Sequence, residues 1–405
     1  MRCCHLVRAS TLVASALIFA ARPAAAQSSD DDTRQAVVEA AQAEKVKTLQ
    51  PYVGTSFEKL MTRVQDILEY GTVAWHPFFQ SAAHGSGLPI GVGYLLHVSP
   101  FNYVDVRGSY STYGYRLAEA EFVAPRLLDR RGRLSVIGGW GVATQVGFFG
   151  RGPDSSVDDR TNYGFRHAYG SALLTVWPTR RLLMLRGGVE ITRWSPEPPK
   201  GSFPPIESAY TPAMLPGLGD TTTYLHTQGT IGFDWRPAPG YARRGGFYAV
   251  TAHDYHDKDH RFGFQQLDYE VVQHFPILRE SWVISLRGLT ETTFRREGQD
   301  SPYYLLPHLG GGSTLRGFDS WRFRDRNRLL LQAEWRIMAN RFMDSAVFYD
   351  AGKVTASKAD LDFNGLQHDY GFGVRFHTPF MTPFRVDIAR SHEQTRLVFS
   401  TSAVF

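Results

Sequence analysis

From about Tyr70 to Phe405 the chain is written with a period of two, and charge recurs on one of the two faces that this period defines. Leu183, Leu185, Val189 and Ile191 alternate with Arg186, Glu190 and Thr192. Leu267, Tyr269 and Val271 alternate with Gln266, Asp268 and Glu270, and Phe384, Val386 and Ile388 alternate with Arg385 and Asp387. Side chains of a strand point alternately to its two faces, so each run is a strand with one oily and one polar face. A soluble sandwich also alternates, but its inner face must be apolar, because an unpaired buried charge costs on the order of several kcal/mol. Charge on the inner face in strand after strand is tolerable where that face lines a wet lumen and the oily face meets lipid. The expected fold is therefore an all-β transmembrane barrel.

Sixteen such strands can be counted, from 71–82 to 396–405. An even number places both barrel ends on the same side of the membrane. The connections alternate short and long, with longer loops expected near 150–160, 195–220, 295–327 and 355–368. Long loops should face outward. The loop at 195–220 is crowded with proline (Pro196, Pro198, Pro199, Pro204 and Pro205) and reads either as a stiff cover or as a variable surface loop. The last strand alternates to the final residue: Leu397, Phe399, Thr401, Ala403 and Phe405 share one face. A terminal strand that ends in an aromatic is the β-signal pattern of bacterial outer-membrane barrels, carried here by Leu397, Phe399 and Phe405.

The first residues agree with export. Arg2 and Arg8 precede a short apolar core, Leu12 to Ala20, and Ala24-Ala25-Ala26 stands before Gln27. Residues 1–26 read as a secretory signal, too short to span a bilayer as a helix. Both cysteines, Cys3 and Cys4, lie inside it, so the exported chain is expected to carry no thiol or lipid anchor. Cleavage also removes Arg2, Arg8 and Arg22, leaving 41 basic against 39 acidic residues. That balance, without a basic tract interleaved with aromatics, gives no reason to expect a nucleic-acid partner. No cofactor is expected either: phosphate-loop, dinucleotide and zinc signatures are missing.

Residues 27–69 are different in kind. Thr33 to Gln50 reads as a polar helix. A second helix begins after Gly54, with Thr55 and Glu58 spaced as a capping box. Phe57, Leu60, Met61, Val64 and Ile67 form one helical face. That face is expected to dock on the barrel's periplasmic rim or lumen, or on a partner. The organisation is thus signal 1–26, helical segment 27–69 and barrel 70–405.

The most specific stretch is LGGGSTLRGFDSWRFRDRNRLLLQAEWRIMANRFMDSAVFYDAGKV, residues 309–354. It resembles the bacterial surface antigen superfamily, the sixteen-stranded barrels of the BamA, TamA and two-partner-secretion type. The resemblance rests on Leu315-Arg316-Gly317-Phe318, on Glu334 in the next strand, and on Phe348, Asp350 and Gly352 in the strand after that. It implies that loop 295–327 folds back into the lumen. Glu334 and Asp350 fall on the lumen faces of adjacent strands, close enough to share one guanidinium, and Arg316 can supply it with bidentate geometry. Gly317 and Gly352 would make room for the tip. The resemblance further implies transport, translocation or assembly of envelope components through the lumen or a lateral seam, with a periplasmic or envelope partner and with outer-membrane lipids around the wall. One departure stands out: the family's periplasmic polypeptide-transport-associated domains do not fit into residues 27–69. A non-conducting interaction platform is the rival reading, and a membrane enzyme a weaker one. His253 to His260 (HDYHDKDH) is the densest His/Asp run and reads as a solvated strand tip before it reads as a metal site. His167, His274 and His377 are scattered and pair with no nucleophile by motif, so catalysis is not expected.

Overall fold

The computed structural model describes residues 34, 36–42, 44, 74–179, 182–278, 280–401, 403 and 405. The chain divides into two units, Met1–Leu60 and Met61–Phe405. Of the first, the described residues within 34–44 are helical and exposed. The signal region and the docking face Phe57, Leu60, Met61 and Val64 lie outside the described residues.

The second unit is one antiparallel sheet of sixteen strands. Its first half comprises β1 (Trp75–Phe78), β2 (Pro89–His97), β3 (Tyr103–Ser111), β4 (Arg116–Leu127), β5 (Gly132–Phe148), β6 (Thr161–Val176), β7 (Leu183–Glu197) and β8 (Thr222–Asp234). It continues with β9 (Gly245–Asp257), β10 (Phe264–Ile277) and β11 (Trp282–Arg295). A two-residue ladder, β12 (His308–Leu309) with β13 (Phe323–Arg324), lies within the following loop. The sheet resumes with β14 (Asn327–Asn340), β15 (Met343–Thr355), β16 (Gln367–Phe376), β17 (Phe384–Arg390) and β18 (Thr395–Ser400). Apart from β12 and β13, every strand pairs with its sequence neighbour, so the ladder runs in chain order from β1 to β18. Each of the sixteen expected strands overlaps an observed one, although of the first, expected over 71–82, only Trp75–Phe78 is strand among the described residues. Among the described residues no helix is long and apolar enough to cross a membrane.

The two faces separate as the period demands. Val92, Leu96, Val106, Trp140, Leu185, Val189, Ile191, Val250, Tyr269, Trp335, Val347, Phe372, Leu397 and Phe399 are all exposed on the outer wall. In water such a band would be an aggregation surface; in lipid it is the buried face. The inner face carries Asp105, Glu119, His226, Glu291, Gln332, Glu334, Asp350, Asp369, Arg375, Arg385 and Asp387, all buried. This corrects the expectation of an open, wet lumen. Glu119, Glu291, Glu334, Asp350 and Asp387 are paired with arginines instead of meeting water, whereas Asp369 has no ion-pair partner among the described residues.

Two further differences have simple causes. The final strand ends at Ser400, not Phe405. Its partner β17 starts at Phe384, and Arg385 already pairs with Ser400, so the last residues have no backbone to bond. Released from the ladder, the Phe405 ring turns inward and stacks on His274, with centroids 6.2 Å apart. Leu397 and Phe399 keep the outer face. The second difference is the ten-residue segment 235–244 on the short-turn side, where only tight turns were expected. It reaches across to β15 and to the turn after β16, as Tyr241 donates to Asp344 at 2.7 Å and stacks on His377 at 3.9 Å.

Candidate functional site

The segment between β11 and β14 is a folded hairpin. Its β12–β13 ladder pairs His308 with Arg324 and Leu309 with Phe323. Gly310 and Gly311 take φ of 104° and 105°, a region closed to most side chains, and so turn the chain into the tip. The Thr314 hydroxyl accepts from Gly310 N at 2.9 Å and fixes that turn. Leu315 and Phe318 are fully buried in an apolar cluster with Leu289, Leu309, Phe323, Leu330 and Val354. The tip is thus held by hydrophobic burial on both sides of Arg316.

Arg316 has no exposed surface. Its Nε and Nη2 donate to the two oxygens of Asp350 at 2.6 and 2.8 Å, a bidentate fork. Its Nη1 donates to Glu334 Oε2 at 3.1 Å and lies 3.6 Å from Asp387 Oδ2. The guanidinium sits 3.4 Å from the centroid of the Phe348 ring, so planar charge lies over an aromatic face. Burial alone would make Arg316 easier to deprotonate, but Asp350 first, then Glu334 and Asp387, outweigh it and hold the guanidinium above its ordinary value. Glu334 stands opposite Phe348 in the register and Gln332 opposite Asp350. The two acids are therefore diagonal neighbours, with room for one guanidinium between them. Gln332 Nε2 completes the contact, donating to Asp350 at 3.1 Å and to the Thr314 carbonyl at 2.8 Å.

The glycines work as spacing. A Cβ on Gly317 would stand 2.7 Å from Asp369 Cβ and 3.0 Å from Ser391 N. One on Gly352 would stand 2.6 Å from Leu329 O and 3.0 Å from Leu309 Cδ1. The structure thus brings Leu315, Arg316, Gly317, Phe318, Glu334, Phe348, Asp350 and Gly352 to one place on the lumen wall.

Sequence reasoning missed half of the charge network. Arg375 donates to both Glu334 oxygens at 3.1 and 2.7 Å and also to Asp387. Arg385 donates to Asp387 at 2.5 Å and to the Gly312 carbonyl of the tip. Three arginines and three carboxylates therefore interlock across β14 to β17. The available signal was the inner-face alternation of Arg375, Arg385 and Asp387, which were legible as lumen residues but not as partners of the loop. Asp369 is the further acid. It stands opposite Asp350, fully buried.

Above this lock the hairpin closes the outer mouth. Arg324 donates to the Tyr163 hydroxyl at 2.7 Å and to the Gly147 carbonyl at 3.2 Å. Arg322 pairs with Glu393 at 2.8 Å. Trp321 Nε1 donates to the His84 carbonyl at 3.0 Å. The proline-rich loop proves to be a cover: Ile206, Leu215 and Leu218 are buried with Phe148, Tyr163, Phe165, Tyr303 and Leu306.

The histidines have other partners. His253 faces inward, bonding His226 at 3.0 Å and approaching Asp268 at 3.4 Å, while Asp257 accepts from the amides of Arg261 and Phe262. Among the described residues no group of three or more His, Cys, Asp or Glu gathers to hold a metal. His167 bonds Thr192, His274 bonds Ser285 and His377 bonds Tyr241, each in a different place. The Ser285 hydroxyl also receives Arg336, and no carboxylate orients His274, so the pair lacks the third member of a triad.

Comparison with known proteins bears on the fold. The chain is similar in fold to the crystal structure of BamA from Haemophilus ducreyi lacking POTRA domains 1–3, with a TM-score of 0.59 at 14% identity over 80% of this chain and 68% of that one. It is also similar to CdiB from Escherichia coli, with a TM-score of 0.52 at 11% identity over 81% of this chain, and it spans 59% of CdiB's length. No curated protein matches it. The model of the Omp85 superfamily domain matches residues 102–402. The chain belongs to the Omp85 superfamily of outer-membrane barrels.

Proposed function

We propose that this barrel translocates or assembles an envelope component, and that the hairpin between β11 and β14 is the part that keeps its lumen shut until it does so. The observation that carries this reading is Arg316, wholly buried at the tip and forked to Asp350 and Glu334 of the wall, between the apolar anchors Leu315 and Phe318. The apolar cluster around Leu315 and Phe318 seats the tip, and the charge network is the part of that seat that a competing charge can exchange. The β1 and β18 edges are short, at four and six residues, which supports a lateral seam as a second exit. A periplasmic or envelope partner would deliver the substrate. The test is single-channel recording of the whole chain in planar bilayers, before and after removal of residues 310–322. Conductance that appears on removal supports the lid. A barrel that stays silent in both forms and co-purifies with one stoichiometric partner would support the platform reading, which the closure of both mouths by segments 198–221 and 235–244 favours.

A further inference from the structure

The outer wall carries a basic tier that the lumen chemistry does not use. Arg116 on β4, Arg166 on β6 and Arg193 on β7 are exposed, while their strand neighbours Tyr115, Leu117, Phe165 and Thr192 are buried inside. By the alternation of a strand, all three arginines point outward. The register puts two of them level: Arg116 pairs with Val142, and Val142 with Arg166. Arg166 pairs in turn with Ser195, two residues beyond Arg193 on the same face. Arg166 and Arg193 are therefore diagonal neighbours at roughly 7–8 Å, within reach of one anion. Arg116 lies two strands away, about 10 Å along the wall.

Height on the wall identifies the surroundings. Arg166 stands eight residues above the outward Leu174, and Arg193 eight above the outward Leu185. A strand tilted by about 40° climbs about 2.5 Å per residue, so both arginines stand about 20 Å above Leu174 and Leu185, which lie low on the apolar wall. The apolar band of such barrels is about 25 Å tall, so this is the boundary with the outer-leaflet headgroups. Trp140 and Tyr110, exposed on neighbouring strands, mark the same boundary. One tier higher, Lys200 is exposed, its backbone held by the Thr144 carbonyl and the Asn162 amide. Against these four cations stands one carboxylate, Glu197, paired with Arg166. Arg116, Arg193 and Lys200 have no acidic partner among the described residues.

We infer that this tier binds the phosphorylated headgroup of an outer-leaflet glycolipid. Guanidinium forks match phosphate oxygens, the acyl chains would lie along the apolar wall below, and the spacing from Arg116 to the Arg166–Arg193 pair accommodates two phosphates of one headgroup. A wall charge that met only acyl chains would be costly; at a phosphate it is compensated.

The test is native mass spectrometry of the whole chain, purified in detergent and titrated with a bisphosphorylated diglucosamine glycolipid. The wild-type chain should hold at least one such lipid. R116A/R193A should lower its occupancy about tenfold, R116K/R193K should fall between the two because it keeps the charge but not the fork, and the dephosphorylated glycolipid should not bind. Heat-modifiable mobility on gels verifies that each variant is folded; should the alanine pair not fold, R116Q and R193Q singly carry the same comparison. Equal occupancy in wild type and the folded variants overturns the site. Displacement of the lipid by millimolar inorganic phosphate would show a free-phosphate site and overturn the assignment to lipid.

Discussion

Replacing Arg316 by alanine removes the one cation that, among the described residues, pairs with Asp350. In the intact wall Asp350 accepts two charge-assisted bonds from Arg316 and one neutral bond from Gln332. Glu334 keeps Arg375, and Asp387 keeps Arg375 and Arg385. The loss therefore falls chiefly on Asp350, which is left fully buried with an amide as its partner. Stranding one member of a buried pair costs about 3–5 kcal/mol. At 1.4 kcal/mol per factor of ten, the equilibrium between seated and released hairpin should move by roughly a hundred- to a few thousandfold. The assay is limited proteolysis of the folded barrel in detergent, with cleavage mapped to 296–326. R316A should expose those bonds at protease concentrations that leave the wild type intact, and R316K should fall between them, because an ammonium cannot reproduce the fork. D350N should also loosen the loop. The double variant should cost little more than R316A alone, for a coupling of about 2–3 kcal/mol. Strict additivity, or an R316A hairpin as resistant as wild type, would refute the reasoning and leave the apolar cluster around Leu315 and Phe318 as what seats the loop.

Other outcomes follow from the same structure. G317A should loosen the hairpin by about 1–3 kcal/mol, because its Cβ would meet Asp369 and the backbone at Ser391, and a raised protease sensitivity confined to 296–326 checks it. His308 is held well below its usual value, by burial first and then by Arg328, His84 and Arg324. A released hairpin binds a proton there as the pH falls below about 6.5 while the seated one does not, so seating should weaken with acid below that pH and H308N should flatten the dependence, read by proteolysis between pH 7.5 and 5. The exported chain should begin near Gln27 by N-terminal sequencing and sediment with outer membranes; recovery from the soluble periplasm would contradict the membrane reading.

The wall of this protein was plain in its sequence because a strand's period is short and local. Leu185, Val189 and Ile191 against Arg186 and Glu190 need no distant information to be read as two faces, and all sixteen strands were locatable that way. Arg316, Glu334 and Asp350 were legible for a different reason, since a tetrapeptide, an acid and Phe-x-Asp-x-Gly recur in one order along the chain. Arg375, Arg385 and Asp387 carried no such marker. Their partnership with the tip depends on how far the hairpin descends, which no local period encodes. Phe405 misled because alternation continues past Ser400 even though the neighbouring strand does not. The segment 235–244 was invisible because its contacts with Asp344 and His377 join residues far apart in the chain, which no local period encodes.

The hairpin's contacts also set an order of events. Trp321 reaches back 237 residues to His84, Arg324 reaches back 177 and 161 to Gly147 and Tyr163, and the Gly317 carbonyl accepts from Ser391, 74 residues ahead. Its sockets come from the first external loop, from the middle of the wall and from the last strands. The set is complete only once Ser391, beside the last strands, is in place, so full seating of the hairpin is expected to come late in assembly. Contacts that span most of the chain are slow to make, so if the hairpin is the lid proposed above, a newly inserted barrel is expected to pass through a stage before it seats. Reopening retraces that final step alone, without disturbing a single strand of the wall.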